Sequence, residues 1–189
     1  MAADDDAEYD RYAENVLGAD GRESEGREEE VSILPVADPI TEIDLKAADL
    51  SVYRQQFADC IVLDARGRLL LQERPERGGD GMLLSAFGGR VEGGETVLQA
   101  LARELKEELG ADVLEEDVKF LGAVSEAFTD HRDVVHIHFW QDKHKTVTGC
   151  YEWDLVVFDK VEDVFKHPGM MDYLGWGLRR CQDKGYLRR

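Results

Sequence analysis

The stretch "GGRVEGGETVLQALARELKEELGA", Gly88 to Ala111, decides how this chain reads. A glycine-rich turn runs straight into a segment with helical spacing. Thr96 followed three residues later by Gln99 is a capping-box pattern, in which the two side chains accept from backbone N–H groups that the first helical turn leaves orphaned. Leu98, Leu101, Leu105 and Leu109 recur at three- and four-residue intervals and mark the stripe that faces a core. Gly110 stops the helix, because glycine takes the left-handed conformation beyond a helix end without a β-carbon penalty.

Three carboxylates share this helix. At about 100° per residue, Glu108 lies near +40° and Glu107 near −60° relative to Glu104, while Leu101, Leu105 and Leu109 span about +60° to +140°. The acids therefore form a row beside the buried stripe and not opposite it, where a solvated face would lie. Carboxylates crowded at a core margin raise one another's cost of ionisation unless a cation offsets it. Hard divalent cations take oxygen ligands, often one or two carboxylates together with substrate phosphate. The row reads as a metal seat. Gly88, Gly89, Gly93 and Gly94 let backbone approach a ligand closely, and a carbonyl there could join the shell. Arg103 can pair with Glu107 one turn on, or with Glu95 before the helix, as a strut between loop and helix.

Outward from this segment, "FADCIVLD" and "RLLLQER" read as two strands joined by the turn "ARG". "MLLSAFGG" reads as one short apolar strand ending in the glycine turn. "VKFLGAVSEAF", "DVVHIHFWQD" and "EWDLVVFD" read as further strands, "VEDVF" as a short helix and "MMDYLGWGLRRCQDKG" as a closing helix. "ILPVADPITEIDL", with two prolines, suits a short edge strand.

The chain has 189 residues, enough for one core, and 43% are hydrophobic. Its 41 acidic and 23 basic residues give a net charge of −18, which argues against a nucleic-acid polymer as partner. Residues 1–30 hold twelve acidic and three basic residues and read as an acidic tail. Residues 31–51 are transitional, and the folded domain is expected over 52–189. Cys60, Cys150 and Cys181 lie far apart with no CxxC pair, which suggests free thiols in a reducing compartment. With no apolar run of about 20 residues and no signal-peptide core at the N-terminus, no membrane association is expected and the cytoplasm is the expected location.

The pattern G-x5-E-x7-R-E-U-x-E-E-x-G-U, with U aliphatic, is the signature of the Nudix hydrolases. Gly89, Glu95, Arg103, Glu104, Leu105, Glu107, Glu108 and Gly110 match it, and Ala111 is smaller than the usual last residue. The resemblance implies an α/β fold: an α/β/α sandwich around a mixed β-sheet. It implies Mg²⁺ or Mn²⁺ held by Glu104, Glu107, Glu108 and the Gly88 carbonyl, with Gly89, Glu95 and Arg103 structural. The substrate it implies is a nucleoside diphosphate linked to another group. Glu104 resembles the general base of some members; Glu152, in "VTGCYEW", is similar in placement to the late glutamate that serves others.

Arg74 is a candidate phosphate ligand, with Arg77 beside it. Phe87 is a candidate cleft wall. His136 and His138 alternate on a strand, share a face, and are candidates to touch the substrate. The text around "AFGGRVEGGET" and the late Glu152 resemble oxidised-purine nucleoside triphosphatases, so a nucleoside triphosphate is the expected substrate. A nucleotide-sugar or dinucleoside polyphosphate hydrolase is the alternative within enzymes, and a non-catalytic nucleotide-sensing domain the alternative outside them. A homodimer stays open.

Overall fold

The computed structural model describes residues 39–76 and 79–187. The acidic tail 1–30, residues 31–38 of the transitional segment and Arg77 lie outside the described residues. Eight strands form one sheet: β1 (Ile40–Ile43), β2 (Gln55–Leu63), β3 (Leu69–Pro75), β4 (Met82–Ser85), β5 (Phe87–Arg90), β6 (Lys119–Glu126), β7 (Asp133–Gln141) and β8 (Asp154–Phe158). Among the described residues three α-helices complete it: α1 (Val97–Leu109), α2 (Val161–Val164) and α3 (Asp172–Asp183). The sheet order is β1-β6-β7-β2-β3-β4, with β5 paired to β2 and β8 to β3. The β2–β7 pair is parallel and the other strand pairs are antiparallel, so the sheet is mixed.

Alternation along the central strands sorts their side chains onto two faces. On one, Ala58, Cys60 and Val62 of β2, Leu70 of β3 and Trp140 of β7 meet Ala100, Leu101, Leu105 and Leu109 of α1. On the other, Ile61 and Leu63 of β2 with Ile137 and Phe139 of β7 meet Tyr173, Leu174, Leu178 and Cys181 of α3. This is the expected α/β/α sandwich. The expected edge strand is β1, which pairs with β6. The three cysteines are free thiols, Cys60 and Cys181 buried. Among the described residues no helix is long and apolar enough to cross a membrane.

One sequence expectation is corrected here. "MLLSAFGG" is two strands, not one, because the chain changes partner at Ala86. Before it, Gln72 of β3 faces Ser85; after it, Cys60 of β2 faces Phe87. At the switch the Ala86 N–H donates to Tyr173 Oη at 3.1 Å, and its carbonyl accepts from Gln72 Nε2 at 3.0 Å. β2 and β3 pair with each other only at Val62–Leu70 and Leu63–Leu69, so the sheet splits beyond. The glycine turn, Gln72 and Glu108 meet at this split.

Candidate active site

Helix α1 is built as its sequence dictates. Thr96 Oγ1 accepts from the Gln99 N–H at 3.2 Å and Gln99 Oε1 accepts from the Thr96 N–H at 2.8 Å, closing the capping box. Gly110 ends the helix in the left-handed conformation, φ 65°. The acids form a graded row. Glu108, nearest the leucine stripe, is 3% exposed. The side chains of Glu104 and Glu107 are 15% and 62% exposed.

Each buried acid has its own donors. Glu108 Oε2 accepts from the Gly88 N–H at 2.7 Å and Oε1 from Gln72 Nε2 at 3.0 Å. Burial pushes its carboxyl up to about 8, the two donors pull against this, and the charges of Asp59 and Glu152 add to the rise. Glu104 is also raised by burial; Arg103 opposes the rise, and Glu107 and Glu152 reinforce it. These are the electrostatics of a carboxylate cluster that favours a cation.

Arg103 is the strut. Its Nε and Nη2 reach Glu95 at 2.9 and 3.1 Å, Nη2 also reaches the Arg90 carbonyl at 3.0 Å, and Nη1 reaches Glu104 at 2.7 Å and Glu107 at 3.4 Å. One guanidinium thus ties the glycine loop to the helix and holds part of the row. Two glycines let the pieces close. Gly88 has φ +141°, and a β-carbon there would collide with the Ala58 carbonyl and the Asp59 backbone. A β-carbon on Gly89 would collide with the Glu104 carboxylate.

Glu152 joins the row from a distant loop. The Thr148 N–H donates to the Leu109 carbonyl at 3.0 Å and the Tyr151 N–H to the Glu108 carbonyl at 2.9 Å. The loop thereby satisfies carbonyls that the end of α1 leaves orphaned. Glu152 itself is exposed, and its charge is felt at both Glu104 and Glu108.

Asp59 was missed by the sequence reading. It faces Gly88 across β2 and β5. Burial pushes its carboxyl up to about 7; a hydrogen bond from Tyr173 and the charge of Arg74 oppose the rise, and Glu104 adds to it. An acid in the middle of the apolar run "FADCIVL" was the available signal, because unpaired acids are rarely buried. Glu126 is also buried and accepts from the Tyr173 N–H at the start of α3 at 3.0 Å.

Arg74 lies among these acids. Its Nη2 contacts Met171 Sδ at 3.6 Å, and its buried Nε has no hydrogen-bond partner. Two other buried polar atoms, Gln72 Oε1 and Ser85 Oγ, also lack partners, and these residues face each other across β3 and β4. The split therefore gathers unsatisfied polar groups next to the carboxylate row.

Three candidates go elsewhere. Phe87 is fully buried among α1 and β2 side chains, so it is core and not a cleft wall. His136 and His138, 3% and 2% exposed, share the face of β7 that carries Trp140. His136 Nε2 bonds Gln56 Oε1 at 2.9 Å and His138 Nδ1 bonds the Asp59 carbonyl at 3.3 Å. Burial lowers both imidazoles, His136 to about 4. They are neutral packing groups with little surface left for a substrate.

The donor set suits a hard divalent cation: several carboxylates and a close backbone turn, raised in pKa by shared burial. Among the described residues, however, no three His, Cys, Asp or Glu side chains converge as a closed metal shell would require. Glu108 is turned toward Gly88 and Gln72, and Glu104 toward Arg103.

The NUDIX domain model matches residues 53–172. A CTP pyrophosphohydrolase of Escherichia coli (strain K12) is 30% identical over 114 residues, which cover 57% of this chain and 77% of that protein. The E. coli ORF135 protein has a similar solved structure, with TM-score 0.53 and 24% identity over 71% of this chain and 95% of that one. A MutT protein from Methanosarcina mazei Go1 superposes with TM-score 0.56 at 17% identity, covering 69% and 94% of the two chains. These structural likenesses are likenesses of fold.

Proposed function

Since the chain belongs to the NUDIX domain family and is a hydrolase of its pyrophosphatase kind, we propose that it is a Mg²⁺-dependent pyrophosphohydrolase that splits a nucleoside triphosphate into a monophosphate and pyrophosphate. The observation that carries this reading is the graded carboxylate row of Glu104, Glu107 and Glu108, braced by Arg103 and faced by Glu152. Its 30% identity to a CTP pyrophosphohydrolase supports the triphosphate as substrate.

Glu104, Glu107, Glu108 and the Gly88 carbonyl would hold a divalent ion, which would supply charge neutralisation at the phosphates and a lowered pKa for a bound water. The protein positions the rest, which is most of what phosphoryl transfer requires. Gly88 and Gly89 bring backbone close to the row. Arg74, with an unpartnered Nε, donates to a phosphate oxygen. Water adds its oxygen to one phosphorus of the bridge, the bridging P–O bond breaks, and pyrophosphate leaves. Glu152 takes the proton. Arg103 already holds Glu104 Oε1 and both Glu108 oxygens accept hydrogen bonds, whereas Glu152 is exposed and, within the single chain, ion-paired to nothing among the described residues.

A panel of nucleotides with Mg²⁺, scored by product, tests this reading. Monophosphate and pyrophosphate in equal amounts are expected from a triphosphate. Release of a nucleoside monophosphate with a sugar phosphate from a nucleotide sugar, or of two nucleotides from a dinucleoside polyphosphate, with triphosphates untouched, overturns it. Glu152→Gln is expected to lower kcat at least tenfold and to flatten the acid limb of its pH profile, following the usual size of general-base effects of about 10²–10⁴. An unchanged acid limb removes Glu152 from that role.

A further inference from the structure

Strand β8 leaves one side of the sheet open. It pairs with β3 along its whole length, from Asp154–Glu73 to Phe158–Leu69, and among the described residues no backbone group pairs on its other side. Every second residue before and along it is apolar and exposed on one face: Trp153 40%, Leu155 40% and Val157 39%. Edge strands are normally protected by charge, proline, a bulge or a covering loop. An exposed apolar stripe on an unpaired edge marks an interaction surface.

The sequence of this edge is self-complementary. We infer that β8 pairs antiparallel with β8 of a second copy of this chain about a two-fold axis at Val156, which continues the sheet across the dimer. A two-fold normal to the sheet keeps each face on its own side, so the exposed stripes meet. Leu155 then lies opposite the partner's Val157, and Val157 opposite the partner's Leu155, a favourable cross-strand apolar pair on each side of the axis. Two residues beyond each end of the strand, Glu152 falls opposite the partner's Lys160. Both are exposed, and neither has an ion pair among the described residues. Moving the axis by one residue in either direction loses this match, placing Phe158 or the like-charged Glu162 of the second copy against Glu152. The charge match therefore selects the register. It also brings a cation from the partner to Glu152, beside the carboxylate row, so the second copy contributes to the site. This inference concerns the edge alone and holds whatever the substrate.

Sedimentation of the full chain at about 0.15 M salt, where charge is screened beyond about 8 Å, reads the association. The dimer mass, twice the 21.4 kDa of one chain, is expected at about 100 micromolar, because a short edge buries less than the standard interface and binds at the weak end of the range. Val157→Lys and Leu155→Lys, both at exposed positions, are expected to give monomers with unchanged circular dichroism. Lys160→Glu is expected to weaken the dimer at least tenfold, and Glu152→Lys added to it to restore association. A full chain that stays monomeric at this concentration overturns the proposal. So does a dimer that survives Val157→Lys and Leu155→Lys, or a double charge swap that does not recover what Lys160→Glu loses.

Discussion

Glu126→Gln is expected to stabilise the fold in mild alkali and to do little in mild acid. Glu126 is 5% exposed and accepts the Tyr173 N–H at 3.0 Å. Burial lifts its carboxyl from 4.5 to about 7; the Tyr173 N–H and Arg74 oppose the rise, while Asp59 and Asp172 add to it. The folded-state pKa lies above the unfolded one, so ionisation disfavours the fold. The stability this group permits is complete below about 4.5 and is lost as pH rises through about 7. At about 1.4 kcal/mol per tenfold in proton affinity, the full loss is about 3 kcal/mol. Gln keeps the acceptor oxygen and never ionises. Urea unfolding should therefore show the variant more stable than the parent by about 3 kcal/mol near pH 8, and by no more than about 1 kcal/mol near pH 5. A stability difference that is the same at both pH values refutes the burial of an ionising carboxyl at this position.

Three further outcomes follow from packing. Leu105, fully buried under the sheet, should cost about 2–5 kcal/mol on replacement by Ala, read from the denaturant midpoint at constant m-value. Thr96→Ala breaks the capping box and should cost about 1 kcal/mol in the same measurement, with activity retained per folded molecule. Gly88→Ala meets the Ala58 carbonyl and a strained φ, so a loss of stability of at least about 1 kcal/mol and lost turnover should appear together.

Helix α1 was legible because its determinants are local. The cap, the leucine stripe, the stop and the angular position of each glutamate all follow from residues within fourteen positions of one another, and the observed gradient of exposure from Glu108 to Glu107 repeats the angular order. The central strands were legible from their apolar runs. What stayed hidden depends on contacts distant in sequence. The partner switch at Ala86 needs Gln72 and Tyr173, 14 and 87 residues away. Alternation told that His136 and His138 share a face but not that this face packs against the layer of α1. Phe87 borders the glycine turn in sequence, yet its pairing with Cys60 turns it into the core. Asp59 and Glu126 gain their character only when α3 brings Tyr173 between them.

Calorimetric titration of Mn²⁺ into the protein with a non-hydrolysable triphosphate tests the central claim most directly. The parent chain should take up metal, and Glu107→Gln, altered at a largely exposed position that the fold does not need, should bind it at least tenfold more weakly and turn over at least about 100-fold more slowly. Equal uptake by both proteins, or none by the parent, contradicts the assignment of this row as the seat of the ion.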